Sequence, residues 1–170
     1  VGGIAGSMDN SEIKNSETQA IIIGKAHKVG GISGSMINES TILDCISSSA
    51  ITGKKGSIGG ITGYVDNSYI IGSKSGESIN GGSYVGGIAG KLLNSSEIKN
   101  SVSEAAITSK GNSIGGIVGE VKSSKISHSK SSSDVSGSDN VGGIVGQIRQ
   151  GEIEYSISTS GVSGKNKIAG

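Results

Sequence analysis

The sequence predicts an all-β fold, a parallel β-solenoid (β-helix) of six coils of 27–29 residues, with three short strands in each coil. Three observations lead to this prediction. A six-residue motif returns at nearly constant spacing, columns of apolar residues stay in step with it, and the composition disfavours helices. The chain has 31 Gly, no Pro, Phe or Trp, and only four Tyr. Burial must therefore come from Ile, Val and small side chains in regular layers.

The repeat is defined by the motif [Val/Ile]-Gly-Gly-Ile-x-Gly. Complete copies begin at Val1, Val29, Ile58, Val85, Ile114 and Val141, and a partial copy begins at Ile168. One copy cannot bury its own apolar residues, whereas stacked copies turn each column into a continuous inward ladder of like side chains. Residues 1–170 are therefore predicted to be a single solenoid array. Parallel coils lie about 4.8 Å apart, so six coils predict a rod roughly 30 Å long.

The motif predicts two inward apolar residues separated by a corner. Its first and fourth positions are β-branched and apolar in every complete copy, as expected of residues that face a core. The Gly-Gly pair between them indicates either a positive φ angle or a close approach of backbones, as a tight corner or bulge requires.

Further columns follow the motif in each copy. An apolar column comprises Met8, Met36, Val65, Leu92, Val121 and Ile148, and an isoleucine column comprises Ile13, Ile42, Ile70, Ile98, Ile126 and Ile153. Two small polar columns comprise Ser16, Cys45, Ser73, Ser101, Ser129 and Ser156, then Thr18, Ser47, Ser75, Ser103, Ser131 and Ser158. A β-branched column comprises Ile22, Ile51, Ile79, Ile107, Val135 and Val162, and a glycine-rich column comprises Gly24, Gly53, Gly81, Ser109, Gly137 and Gly164. Repeat length varies only before the isoleucine column and before the next motif, which predicts loops at these two gaps.

Composition argues against several classes of partner. Lys plus Arg total 15 and Asp plus Glu total 14, so the net charge of +1 gives no electrostatic reason to expect nucleic acid or an anionic membrane as a partner. No apolar run approaches the roughly 20 residues that span a membrane, so no membrane insertion is expected. Residues 1–170 contain no stretch expected to be a signal peptide, and the opening Val1-Gly2-Gly3 predicts a segment excised from a longer chain.

No catalytic, metal or cofactor site is predicted from the reactive residues. The two histidines, His27 and His128, lie outside any His-Glu-x-x-His pattern and are expected to be exposed loop residues. Cys45 occupies a serine column and is expected to be a small buried substitute for Ser, since no base accompanies it. The serines are expected to form hydroxyl ladders along the stack. Four acids near one loop are interpreted as a solvated face: Glu12, Glu39, Glu97 and Glu152.

The repeat resembles the GLUG-motif family. The residues that carry the resemblance are Val85-Gly86-Gly87-Ile88-Ala89-Gly90, then Ile98-Lys99-Asn100-Ser101, then Ala106-Ile107-Thr108. The chain differs in having Ile where Leu is common and in lacking the frequent Tyr after the Ser. The resemblance implies a large bacterial surface or secreted protein, a class that includes adhesin-like proteins and the flanking regions of IgA-specific metalloendopeptidases.

The function expected from these observations is structural and not enzymatic. The chain is expected to be an extracellular or cell-surface segment that forms a rigid stalk or filament, with neighbouring repeats or identical copies as end-to-end partners. Two alternatives stay open, a glycan- or host-binding adhesin region and a non-catalytic accessory domain of a secreted metalloprotease. For the first, the candidate ligand-binding residues are Tyr64, Tyr69 and Tyr84, which fall in or near the third coil.

Overall fold

The computed structural model describes residues 1–25 and 27–170, and every regular element in them is a β-strand. Each strand pairs in parallel with the strand one repeat further along the chain, which gives five sheets of six strands each. This confirms the predicted all-β parallel solenoid of about six coils. We name the sheets A to E in the order in which one coil passes through them, beginning at the Gly-Gly motif.

The strands of the sheets have the following bounds. Sheet A comprises Lys28–Gly30, Ser57–Gly59, Val85–Gly86, Asn112–Gly115, Asp139–Gly142 and Asn166–Ala169. Sheet B comprises Met8–Asp9, Ser33–Ile37, Thr62–Asp66, Ala89–Leu93, Val118–Lys122 and Val145–Arg149. Sheet C comprises Glu12–Lys14, Thr41–Leu43, Tyr69–Ile71, Glu97–Lys99, Lys125–Ser127 and Glu152–Glu154.

Two further sheets complete each coil. Sheet D comprises Glu17–Thr18, Ile46–Ser47, Lys74–Ser75, Val102–Ser103, Lys130–Ser131 and Ile157–Ser158. Sheet E comprises Ile21–Gly24, Ala50–Gly53, Ser78–Gly81, Ala106–Ser109, Val135–Ser136 and Val162–Ser163. The apolar columns align in the pairing register, for example Ile70 with both Ile42 and Ile98. Val141 likewise pairs with Ile168, which places the partial motif copy at the start of a seventh coil.

The prediction of three strands per coil is wrong, because coils 2 to 6 contain five strands each and coil 1 contains four. Single residues with positive φ make corners that the column spacing alone does not reveal. Between sheets C and D the corner residues are Asn15, Asp44, Gly72, Asn100, His128 and Tyr155, with φ between 46° and 62°. Asn, Asp and Gly enter this left-handed region most readily, so most of the column has the residue types that such a corner favours.

The variable gap before the isoleucine column is a loop, as predicted, and its length follows from the corner between sheets B and C. The shorter gaps contain one residue with positive φ, for example Asn67. The longer gaps contain two, Asn38 with Glu39 and Asn94 with Ser95. An extra residue is thus absorbed as a second left-handed residue at the corner, and the strands on either side keep their register.

The core consists of two apolar clusters that run along the axis. The larger cluster joins the fourth motif position with the apolar and isoleucine columns, represented in one coil by Ile88, Leu92 and Ile98. The smaller cluster joins the first motif position with the β-branched column, represented by Val85 and Ile107. The members of both clusters in the inner coils are almost completely buried.

The second glycine of the motif lies close against the second small polar column in the inner coils. A Cβ atom on Gly87 would overlap Ser103 Oγ and the carbonyl oxygen of Gly116. The motif glycines do not have positive φ; in the described residues that is recorded only for Gly56 and Gly72 among the glycines. Close backbone approach, one of the two predicted reasons, therefore explains the Gly-Gly pair.

The second small polar column does not form the expected hydroxyl ladder, since the Oγ atoms of Ser47 and Ser103 have no hydrogen-bond partner among the described residues. Two other ladders of serine hydroxyls connect the coils, and one of them, in the first small polar column, was predicted. In the first ladder, the serine hydroxyl accepts a hydrogen bond from the backbone N–H of the residue that occupies the same column in the preceding coil. For example, Ser101 Oγ accepts from Ser73 N at 3.3 Å. The same hydroxyl donates to the carbonyl of Lys99 at 3.0 Å, across the corner residue Asn100. Each such hydroxyl therefore stabilises the corner of its own coil and also bonds to the preceding coil.

The second serine ladder was not predicted, because it lies at the end of the variable gap. Its members are Ser11, Ser40, Ser68, Ser96 and Ser124, joined by N–H to Oγ distances of 3.1–3.3 Å. All five stand two residues before the isoleucine column. These serines are out of step when the repeats are aligned on the Gly-Gly motif. Aligning the repeats on the isoleucine column instead would have placed them in one column.

Candidate functional site

The first and last coils of residues 1–170 expose apolar column residues that are buried in the inner coils. Ile148 and Ile153 in the sixth coil are 45% and 40% exposed, whereas their column partners Leu92 and Ile98 are fully buried. At the opposite end Ile4 is similarly exposed. The outermost strands of each sheet have a described neighbour on one side only. Each end therefore presents backbone hydrogen-bonding groups together with apolar side chains in the pattern of a coil interior.

Two of the three candidate tyrosines, Tyr64 and Tyr84, lie on one lateral face, each beneath a lysine ammonium. Lys28 Nζ lies 3.7 Å from the ring centroid of Tyr64, and Lys91 Nζ lies 3.6 Å from that of Tyr84. The Tyr64 hydroxyl donates to Asp66 Oδ2 at 3.1 Å. Burial raises the pKa of Tyr64, with Asp66 adding to the effect. One face of each ring is thus used within the protein by a cation–π contact.

Lys91 also belongs to an ion pair that sequence reasoning missed. It pairs in register with Tyr64 and Glu120 along sheet B, and its Nζ lies 2.8 Å from Glu120 Oε2. Glu120 is buried, although it faces away from the core. Arg149 Nε approaches the same carboxylate at 4.0 Å. This outward column links several coils by polar contacts, a structural role for the face that carries Tyr64 and Tyr84.

The third candidate, Tyr69, lies beyond the next corner, in sheet C. It lines an open groove of about 440 Å³ with Ser95, Glu97, Ser123 and Lys125 among the other lining residues. Along the axis, Tyr64, Tyr69 and Tyr84 all lie in the third coil or at its end, as the sequence predicts. The structure does not gather all three into one patch.

Of the four acids interpreted as a solvated face, Glu12, Glu97 and Glu152 lie on the outward face of sheet C, and Glu39 does not. Glu12 pairs with Thr41, which pairs with Tyr69, so Glu39 is not a member of the column. Glu39 instead occupies the corner between sheets B and C. Lys125 interrupts the acids and forms ion pairs with Glu152 and Glu154 at 3.3 and 2.8 Å. Exposed, internally paired charges of this kind fit the predicted solvated face.

The reactive residues lie where a structural role places them. Both histidines are exposed, and His128 stacks on Tyr155 with ring centroids 5.0 Å apart. Cys45 is buried in the first serine ladder, where its N–H donates to Ser73 Oγ at 3.2 Å. Burial raises the pKa of the Cys45 thiol, so the thiolate is disfavoured. Over residues 1–25 and 27–170, His, Cys, Asp and Glu do not form a group of three or more that could hold a metal ion.

Comparison with known proteins identifies the repeat. The family model described as the GLUG motif matches residues 81–108, which is one full repeat length. The register of the sheets carries the columns of this segment into the other coils. No curated protein matches the chain. The described part of the chain also has no helix with the length and apolar character needed to cross a membrane.

Proposed function

We propose that this chain, a β-solenoid of GLUG-motif repeats, is a rigid stalk or filament segment of a bacterial surface or secreted adhesin-like protein, and not an enzyme. The observation that supports this proposal most strongly is the unbroken register in which the sheets and the apolar columns run from the first coil to the sixth. Within residues 1–170, the columns that are buried in the inner coils reach the exposed faces of coils 1 and 6. The bacterial and extracellular parts of the proposal rest on the type of repeat.

The mechanism is mechanical. The third and fourth coils are each joined to both neighbours through five parallel strand pairings and two serine ladders. Bending such a rod would stretch backbone hydrogen bonds on one side and compress the packed core on the other. With coils about 4.8 Å apart, added coils extend the rod by a fixed step and hold an attached partner at a set distance.

The end-to-end partner is a further coil with the same columns. A following repeat of the same polypeptide and a coil of a second copy both supply matching strand edges and Ile or Val side chains. Covering Ile148 and Ile153 would remove apolar area from water, which favours association by about 25 cal/mol per Å². The open ends are therefore proposed to join, and the lateral faces are not.

Sedimentation velocity across a concentration series tests this proposal. The chain is expected to form larger species as its concentration rises, and I148K with I153K is expected to abolish them by placing charge on the end. The matched control is I21K with I23K, because Ile21 and Ile23 are 82% and 67% exposed on the side of the rod. Association that survives the end substitutions, or that the lateral pair abolishes, would contradict end-to-end joining.

A glycan- or host-binding role is the second candidate, and the groove beside Tyr69 favours it. Tyr69 is partly exposed there, with the polar side chains of Ser95 and Ser123 among its neighbours. An aromatic ring flanked by hydrogen-bonding groups is the usual composition of a small-ligand site. Loss of glycan-array signal in Tyr69→Ala, with signal retained in Tyr64→Ala, is the expected outcome for this role.

A further inference from the structure

Although the net charge is only +1, the basic and acidic residues are unevenly distributed around the coil. Six short segments lie at the corner between sheet E and sheet A and include the first residues of several sheet A strands. They are residues 25 with 27–28, 54–57, 82–84, 110–113, 138–140 and 165–167. We call them the basic edge. They contain the lysines Lys25, Lys28, Lys54, Lys55, Lys110, Lys165 and Lys167. Asp139 is their single acid, so the rest of the chain carries eight basic and thirteen acidic residues.

All seven lysines of the basic edge are exposed. Except for Lys28, whose ammonium lies over the Tyr64 ring, they are available to an external partner. None of them forms an ion pair with any residue that the structure describes, whereas Lys14, Lys74, Lys91, Lys125 and Arg149 do. Asp139, the acid within the edge, already accepts a hydrogen bond from Asn166 Nδ2 at 2.6 Å. The edge therefore carries positive charge that the described fold leaves unneutralised.

A groove lies beside the centre of this edge. It has a volume of about 490 Å³ and lies between Lys54 of the second coil and Lys110 of the fourth. Its other lining residues are Thr52, Gly53, Asn80, Gly81, Gly82, Thr108 and Ser109. Thr52, Asn80 and Thr108 are paired in register, so their outward side chains form one polar line along the axis. Glycine leaves the backbone accessible, and the threonine and asparagine side chains can both donate and accept hydrogen bonds.

We infer that the basic edge and its groove bind a linear anionic polysaccharide, with sulfate or carboxylate groups on the lysines and sugar hydroxyls on the polar line. The lysines lie in four of the six segments, between the first coil and the seventh, and this axial spacing suits an extended polymer better than a compact ligand. Lys54 and Lys110 are two coils apart, about 10 Å along the axis, close to the length of a disaccharide unit.

Two other anionic polymers fit these observations less well. Single-stranded nucleic acid is usually held by aromatic rings on which bases stack. The tyrosine within the edge, Tyr84, already has the Lys91 ammonium over its ring. Membrane surfaces are usually bound by basic residues together with apolar side chains along the same face. Here the strongly exposed Ile21 and Ile23 are confined to the first coil.

The experiment measures binding of the intact chain to a fluorescently labelled heparin fragment by anisotropy, with neutral dextran as the reference polymer. The wild-type protein is expected to bind heparin and not dextran, and to lose affinity steeply as salt screens the charges. K54Q/K55Q/K110Q is expected to weaken heparin binding at least tenfold. The matched control K99Q/K122Q/K130Q removes the same charge from exposed lysines elsewhere and is expected to change affinity less than twofold.

Several results would overturn the inference. These are no heparin binding by the wild type, equal weakening by both triple variants, or tighter binding to a single-stranded oligonucleotide or to vesicles of anionic lipid. K54R/K55R/K110R, which keeps the charge, should retain affinity and shows whether the glutamine variant fails for another reason. Urea midpoints of all variants report folding. The outcome is independent of end-to-end association, because binding is measured below the concentration at which larger species form.

Discussion

At the scale of single residues, the Gly-Gly pair is fixed by space and not by backbone conformation. Gly87→Ala would drive a methyl group into Ser103 and the backbone of Gly116. We expect this substitution to lower the free energy of unfolding by about 1–3 kcal/mol or more, the usual cost of overpacking. Gly76→Ala is the control, since a Cβ there would meet no atom within 4 Å. Urea denaturation of both variants checks the prediction, and equal losses would contradict it.

Cys45 illustrates a different residue-scale constraint, the replacement of a hydroxyl by a thiol in a hydrogen-bonded ladder. Because burial raises the pKa of its thiol, the folded protein holds this proton more tightly than the unfolded chain does. The resulting stability is present below the ordinary thiol pKa and is lost as pH rises through the raised one. We therefore expect iodoacetamide to label native Cys45 at least tenfold more slowly than the urea-unfolded chain at pH 8.

Cys45→Ser provides the matched variant for the pH dependence. Serine does not titrate in this range, so the loss of stability above the ordinary thiol pKa should shrink in the variant. Near neutral pH the two proteins should have similar urea midpoints, because Ser is the residue that the column otherwise contains. Rapid labelling of the native thiol, or an unchanged alkaline loss in Cys45→Ser, would show that the thiol is not held as the structure indicates.

At the scale of elements, the stability of a column depends on the coils that cover it. Ile98 is fully buried between Ile70 and Ile126, whereas Ile153 in the same column has a covering coil on one side only. We expect Ile98→Ala to cost about 2–5 kcal/mol. Ile153→Ala should cost less than half as much at concentrations where the chain is monomeric. Equal costs under those conditions would mean that the end coil is not open in solution.

The positions of the strands could be predicted from the sequence better than the corners between them. Positions such as Ile98 and Leu92 repeat with their neighbours in register, so their inward direction followed from periodicity. The corner at Asn100 did not, because a single left-handed residue turns the chain without changing the spacing between columns. The column spacing therefore predicts three strands where coils 2 to 6 have five. Ser96 was missed for a related reason, since its distance from the motif varies while its distance from Ile98 does not.

At the scale of the whole molecule, the surface features depend on how the coils stack, and no local sequence pattern predicts them. The sequence gives the total charge, but only the arrangement of coils places Lys54 and Lys110 along one edge. The three tyrosines were close in predicted coil position, yet a corner separates Tyr69 from Tyr64. Side-chain contacts such as Lys91 over Tyr84 likewise depend on which residues lie one coil apart. Candidate surfaces were therefore less predictable than the core.

The central claim is that stacked parallel coils form a stiff rod that continues through its open ends. Electron microscopy of the purified chain across a concentration series tests it most directly. The account predicts straight rods whose length grows with concentration and whose axial repeat is near 4.8 Å. Discrete particles of constant size, without an axial repeat at any concentration, would contradict continuation through the ends.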